Sequence, residues 1–111
     1  EQSRSFTYID DVTELLSICT DLNSNCTLNV GNNKTSTLNE VIKLIEEFTN
    51  KEALIDYQER AYKDPDVVLP SLKNTKNITG WTPKTDISKG IESTVKWYFD
   101  NRDVLKELKY I

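Results

Sequence analysis

Apolar side chains recur at helical spacing in three stretches of the chain, which predicts three helices with one buried face each. The first is expected to begin at Asp10 or Asp11, because either carboxylate can accept hydrogen bonds from the unpaired N–H groups of a first turn. The second begins with Thr37 and Glu40, which have the spacing of a capping box. The predicted ranges are about 10–22, 38–50 and 86–100.

Shorter elements are predicted between and after these helices. Runs that are β-rich or alternate between apolar and polar residues predict strands. Ser71 can cap a short helix that extends through Asn77 and ends at Gly80. The strands are predicted over 5–9, 26–31 and 53–57, and a terminal helix over 101–111. The pattern predicts a small α/β fold, made of helices with a few short strands.

The composition narrows the chemistry that the chain can carry. Its 111 residues have the length of one small domain, with 37% hydrophobic residues and a net charge of -4. Without histidine and with only two cysteines, it lacks the residues for histidine-based triads and for zinc sites of cysteine and histidine. Its three widely spaced glycines form no phosphate-binding loop. We therefore predict neither catalytic residues nor a metal site.

Charge and hydropathy also bear on partners and location. The net negative charge disfavours nucleic-acid binding, which needs clustered lysine and arginine, and no apolar run approaches the roughly 20 residues of a membrane span. No signal peptide is visible. We expect a cytoplasmic protein in which Cys19 and Cys26 are free thiols, although a disulfide between them is the alternative. Since the chain contains no methionine, we expect it to be a fragment of a longer protein.

One predicted loop concentrates polar groups. Within the segment 58–70, the carboxylates of Asp64 and Asp66 lie close in sequence to Arg60. A solvated pair of acidic residues and a ligand-binding loop both fit this pattern, because loops carry ligand contacts more often than helix faces do.

Three segments, in matching order and spacing, carry motifs of a known family. They are "RSFTYIDDV" at 4–12, "LNVG" at 28–31 followed by "STLNE" at 36–40, and "TGWTPKT" at 79–85 followed by "GI" at 90–91 and "TVKWY" at 94–98. Together they resemble the C-terminal, substrate-binding part of the NAD-dependent nucleotide-sugar epimerase/dehydratase family, the extended short-chain dehydrogenases/reductases. The resemblance covers nearly the whole chain.

This resemblance implies that catalysis and substrate binding lie in different domains. In the family, a Rossmann domain holds NAD or NADP together with a catalytic Tyr-x-x-x-Lys pair, and the C-terminal lobe binds the nucleotide diphosphate. The chain contains neither the cofactor fingerprint nor that pair. Residues 1–111 are therefore expected to be a single substrate-binding lobe, inactive alone, of an enzyme that epimerises, dehydrates or decarboxylates UDP- or dTDP-sugars. The alternative is a non-catalytic binding or interaction module derived from that family.

The same resemblance implies three substrate-binding residues. Arg4 matches the family's pyrophosphate-binding arginine, and a guanidinium pairs well with phosphate oxygens. Arg60 and Asp64 resemble residues that bind phosphate and ribose hydroxyls. The usual Pro-Gly is missing from this loop, and in another register Asp64 and Pro65 resemble the Asp-Asp-Pro segment of UDP-glucuronate decarboxylases. Which sugar is bound therefore stays open.

The resemblance also implies partners. They are a nucleotide-diphosphate sugar and an upstream Rossmann domain, which would cover part of the surface of this lobe. A lobe separated from that domain is expected to expose an apolar patch, which a second copy could cover in a homodimer. Trp81, Trp97 and Tyr98 are expected in the core, because buried aromatic residues dominate thin cores.

Overall fold

The computed structural model of the protein describes residues 2–59 and 64–107. Within these ranges the fold consists of five helices and three very short strands, which confirms the predicted small α/β class. In chain order they are β1 (Ser3–Arg4), α1 (Ile9–Thr20), β2 (Ser36–Thr37), α2 (Leu38–Thr49), β3 (Val67–Val68), α3 (Lys73–Thr79), α4 (Ile87–Asp100) and α5 (Arg102–Glu107).

The strands form one sheet with β1 at its centre. The order is β2-β1-β3, in which β1 pairs with β2 antiparallel and with β3 parallel. Ser3 lies opposite Thr37 on one side and Val67 on the other. The sheet thus joins three distant parts of the chain through two residues of β1. A small sheet of this kind is unlike the extended parallel sheet of a Rossmann domain.

Two helices, α2 and α4, begin at side-chain caps. The Thr37 hydroxyl accepts a hydrogen bond from the Glu40 N–H at 3.1 Å, and the Glu40 carboxylate accepts one from the Thr37 N–H at 2.8 Å. The predicted capping box is confirmed. Asp86 caps α4 by accepting from the Lys89 N–H at 2.9 Å. Gly80 ends α3 in the left-handed conformation with φ of 72°, and α2 packs against α4.

Two of the predicted caps are wrong. Helix α1 begins after Tyr8, and no side chain caps it; Asp10 is exposed in the first turn and Asp11 is turned toward another segment. Helix α3 begins after Leu72, not with Ser71 as its cap, and it ends at Thr79. Asp11 does not cap α1, because its carboxylate accepts hydrogen bonds from Lys84 and Thr85 instead. The first turn of α3 has no side-chain cap.

The strand predictions fail for a different reason. The predicted strand 5–9 is replaced by β1 at Ser3–Arg4, and 26–31 and 53–57 are not strands. Leu54 is fully exposed and Ile55 is 47% exposed. An apolar run becomes a strand only where a partner strand lies beside it, and these runs have none in the described part of the chain.

The buried set is small and half polar. Among the described residues, the buried hydrophobic ones are Leu15 and Trp81, so the core position predicted for Trp81 is confirmed. Its indole N–H has no hydrogen-bond partner there. Trp97 and Tyr98 are 57% and 51% exposed, and their predicted core positions are wrong, because the described residues that pack against α4 leave about half of each residue open to solvent. Both Cys19 and Cys26 are free thiols, as predicted.

Buried polar residues hold the elements together. Asp11 accepts hydrogen bonds from the backbone N–H groups of Lys84 at 3.1 Å and Thr85 at 2.9 Å, and from the Thr85 hydroxyl at 3.1 Å. The Asn32 amide donates to the Thr85 carbonyl at 3.1 Å. We call Asp11, Asn32, Lys84 and Thr85 the polar hub. It fixes the start of α1 to the segment that leads into α4.

Candidate functional site

The structure brings together two of the three predicted binding residues. Arg4 ends β1, and Asp64 lies in the loop before β3, 60 positions away in the sequence. Nη2 of Arg4 lies 2.6 Å from Oδ2 of Asp64 in an ion pair. The third predicted residue, Arg60, lies outside the described residues.

The pairing of β1 with β3 is what aligns these side chains. The Ser3 N–H donates to the Asp66 carbonyl at 2.8 Å, just before the two strands run in parallel register. Farther along, Gly31 lies so close to Pro70 that a Cβ atom there would collide with the proline ring. Gly31 therefore permits the segment after β3 to lie against the rest of the lobe.

The guanidinium of Arg4 is oriented by backbone groups as well as by Asp64. Its Nη1 donates to the Ser3 carbonyl at 2.9 Å and to the Asp66 carbonyl at 3.4 Å. The side chain is 26% exposed. Solvent can thus reach a guanidinium whose orientation is already fixed. Less side-chain entropy of Arg4 would therefore be lost when a ligand binds.

The carboxylate of Asp64 has a second donor that the sequence-based prediction missed. Nε2 of Gln2 lies 2.5 Å from Oδ2 of Asp64. The available signal was the spacing of Gln2 and Arg4, because side chains two positions apart in an extended segment point to the same side. The Asp64 side chain is 32% exposed, so its carboxylate also faces solvent in part.

This arrangement suits binding. A guanidinium offers planar N–H donors that match phosphate oxygens, and a neighbouring carboxylate accepts hydrogen bonds from hydroxyl groups. In residues 2–59 and 64–107, no group of three or more cysteine, aspartate or glutamate side chains is arranged to hold a metal ion. The arrangement therefore fits a ligand that carries both phosphate and hydroxyl groups.

The larger cavities of the lobe lie away from this pair. A groove of about 390 Å³ runs between α2 and α4, lined by Ile45, Val95 and Tyr98 among others. Another, of about 490 Å³, lies between α2 and the segment that contains Tyr57. We give more weight to the Arg4–Asp64 pair than to cavity volume, because polar groups placed to meet a ligand define a site better than open apolar space does. In the described ranges no helix is long and apolar enough to cross a bilayer.

Comparison with curated proteins relates the chain to enzymes of nucleotide sugars. It is 28% identical over 109 residues to the UDP-glucuronate 4-epimerase of Thermodesulfobacterium geofontis, which covers 97% of this chain and 34% of the relative. It is 26% identical over 97 residues to UDP-glucuronic acid decarboxylase 1 of Danio rerio, which covers 87% of this chain and 23% of the relative. The chain thus spans about a third or less of these relatives. No family model matches it.

Solved structures agree with these relatives. The fold superposes on the UDP-glucose 4-epimerase of Thermotoga maritima, determined with UDP-glucose, with a TM-score of 0.80 and 26% identity; the match covers 95% of this chain and 33% of the other. MoeE5, determined in complex with UDP-glucuronic acid and NAD, gives a TM-score of 0.82 at 22% identity over 90% of this chain and 34% of the other. By sequence and by fold, the chain is therefore similar to the C-terminal part of UDP-sugar epimerases and decarboxylases, which are NAD-dependent enzymes of the extended short-chain dehydrogenase/reductase family.

Proposed function

We propose that the chain is the sugar-nucleotide-binding part of an NAD- or NADP-dependent epimerase, dehydratase or decarboxylase that acts on UDP- or dTDP-sugars. The observation that carries the proposal is the Arg4–Asp64 pair, with an oriented cation and a partly exposed carboxylate at one edge of the sheet. Relatives and structural neighbours whose names include UDP-sugars add support. The upstream Rossmann domain and the nucleotide-diphosphate sugar are the partners that the proposal requires.

Each site residue has a stated role in this proposal. Arg4 neutralises and orients the diphosphate through charge-assisted hydrogen bonds. Asp64 accepts hydrogen bonds from ribose hydroxyls, and Arg60 adds a phosphate contact from outside the described residues. Together they hold the nucleotide so that its sugar projects toward the catalytic domain, which contributes to the rate by positioning.

The residues of this chain do not fit a dinucleotide site. Its glycines, at positions 31, 80 and 90, do not form the Gly-rich turn that approaches a pyrophosphate. No tyrosine in the chain is followed four positions later by a lysine. We therefore assign the cofactor and the reacting groups to the upstream domain and propose that the 111-residue chain has no turnover of its own.

Binding by the 111-residue chain tests the site. Titration calorimetry with UDP-glucuronate and with dTDP-glucose should show binding that Arg4→Ala weakens about tenfold or more, because hydrogen bonds to charged groups are involved. Arg4→Lys should lose part of the affinity, since an ammonium lacks the planar fork. Arg102→Ala removes the same charge from an exposed position on α5 and serves as the control. Equal affinities of wild type and Arg4→Ala would remove Arg4 from the site.

Turnover is tested separately. Purified chain incubated with NAD and each sugar nucleotide should give no new sugar nucleotide by chromatography and no NADH absorbance. Conversion above that of a heat-denatured sample would show that the chain is catalytic by itself.

A further inference from the structure

We propose that Asp64 occupies the position on the Arg4 guanidinium that a diphosphate takes, so that a bound diphosphate displaces the carboxylate and makes it available to ribose hydroxyls. Asp64 would then act first as a stand-in for the ligand's anion and second as a ligand contact. The displacement follows from the contacts of Arg4, whereas the release toward ribose rests on the proposed function.

The competition arises at one hydrogen-bonding group. Oδ2 of Asp64 lies 2.6 Å from Nη2 of Arg4, which is the distance of a charge-assisted hydrogen bond. A phosphate oxygen needs the same kind of N–H donor and carries the same sign of charge. The two oxyanions would repel each other on one guanidinium, so a diphosphate that binds Arg4 here takes the place of the carboxylate.

The exchange requires little rearrangement. The Ser3 and Asp66 carbonyls accept from Nη1 of Arg4, so the guanidinium keeps its orientation when Asp64 leaves. Nε2 of Gln2 donates to the same Asp64 oxygen and can retain the carboxylate beside the site. The exchange therefore moves the Asp64 carboxylate away from Nη2 of Arg4 and leaves the pairing of β1 with β3 in place.

Exposure makes Asp64 a weak competitor. The Arg4 and Asp64 side chains are 26% and 32% exposed, so water reaches both partners. Ion pairs in such positions contribute little, because solvent screens them. A doubly charged diphosphate oxygen cluster can therefore outcompete a single carboxylate, while the pair still lowers the affinity for stray anions.

Inorganic pyrophosphate tests the displacement, because it carries no ribose. We expect Asp64→Asn and Asp64→Ala to bind pyrophosphate about fivefold more tightly than wild type, as the loss of a partly exposed ion pair predicts. UDP tests the release. The ratio of UDP affinity to pyrophosphate affinity should fall about tenfold in both variants, because the charged acceptor for ribose is gone. Two different replacements keep the test valid if one of them perturbs the loop, and circular dichroism checks the fold of each.

Two controls distinguish competition for the Arg4 guanidinium from a general effect of net charge on anion binding. Asp103→Asn changes the net charge equally at an exposed position on α5, and its pyrophosphate affinity should change less than about twofold, as expected for a screened surface charge. In the Arg4→Ala variant, the additional substitution Asp64→Ala should not increase the affinity for pyrophosphate, because the guanidinium for which the two anions compete is absent.

The outcomes are distinct. Pyrophosphate affinity that is unchanged or weaker in both Asp64 variants would overturn the stand-in role, and so would an absence of pyrophosphate binding in all variants. A gain for pyrophosphate with an unchanged UDP-to-pyrophosphate ratio would overturn the release to ribose. Failure of the proposed function shows elsewhere, as sugar-nucleotide affinity that Arg4→Ala does not alter.

Discussion

Asp11 and Asp64 are both aspartates that join distant parts of the chain, but their donors differ in kind. Asp11 is 5% exposed and is bound by two backbone N–H groups and a hydroxyl from the segment of Lys84 and Thr85. Asp64 accepts hydrogen bonds from the side chains of Arg4 and Gln2. Backbone donors cannot leave Asp11 unless the fold moves, whereas side-chain donors can rotate away from Asp64. We call Asp11 the fixed joint, and we propose that the contact of Asp64 with Arg4 is exchangeable.

Their surroundings follow the same division. Near the start of α1 and the segment after α3 lie the buried Leu15 and Trp81. Beside Asp64, β3 and the residue after it are 61%, 45% and 52% exposed at Val67, Val68 and Leu69. Ligand-binding segments are commonly drawn from the less stable parts of a fold, because they must adjust to the ligand. Stability and binding should therefore be separable by mutation.

The largest loss of stability is expected for Asp11→Ala. It removes a buried carboxylate and leaves two partly buried N–H groups and a hydroxyl without their acceptor, and we expect the free energy of unfolding to fall by about 3 kcal/mol. Urea denaturation followed by circular dichroism measures it. Asp10→Ala removes the neighbouring, exposed carboxylate and should cost no more than about 1 kcal/mol, through the helix dipole alone. Similar losses for the two variants would mean that Asp11 is not a fixed joint.

A smaller loss is expected at the other side of the polar hub. Asn32 is 7% exposed, and its side chain donates to the Thr85 carbonyl and accepts from the Lys34 N–H. Asn32→Ala should cost about 2 kcal/mol, since both groups lose a partner. The control is Asn33→Ala at the adjacent exposed position, which should be within about 0.5 kcal/mol of wild type in the same denaturation experiment.

The smallest loss of stability is expected for Arg4→Ala, the variant for which the proposed function predicts the largest loss of ligand affinity. The partly exposed ion pair with Asp64 should contribute less than about 1 kcal/mol to folding after solvent screening. Lys96→Ala, which removes a more exposed ion pair with Asp100, is the comparison. If Arg4→Ala destabilised the lobe as much as Asp11→Ala does, the distinction between joint and binding residue would be wrong.

What the sequence predicts well in this protein is local. The Thr37–Glu40 capping box, the start of α4 near Asp86 and the end of α3 at Gly80 depend on neighbours within four residues, and all three are present. The strands depend on partners elsewhere: Ser3 pairs with Thr37 and with Val67. A strand of two residues is too short to show the alternation of apolar and polar residues that marks a strand. Neither β2 nor β3 could therefore be predicted from the hydrophobic pattern.

The same distinction applies to the site. The resemblance to a family selected Arg4 and Asp64, which the structure pairs, while their binding roles stay predictions. Asp11 was predicted as a helix cap, which is wrong, because its donors lie 73 and 74 positions away. Nothing in the sequence near Asp11 indicates those donors. Gln2 was not predicted as a partner of Asp64, because its side-chain amide is uncharged.

The long separation between Asp11 and its donors also has a kinetic consequence. Helices α1 and α2 can form from local hydrogen bonds, but Asp11 must wait for a large loop to close, and contacts of high sequence separation form slowly. During synthesis Asp11 therefore lacks these donors until Thr85 has left the ribosome. Hydrogen bonds that form after the transition state of folding mainly slow unfolding. The polar hub should therefore affect the unfolding rate of the lobe more than its folding rate.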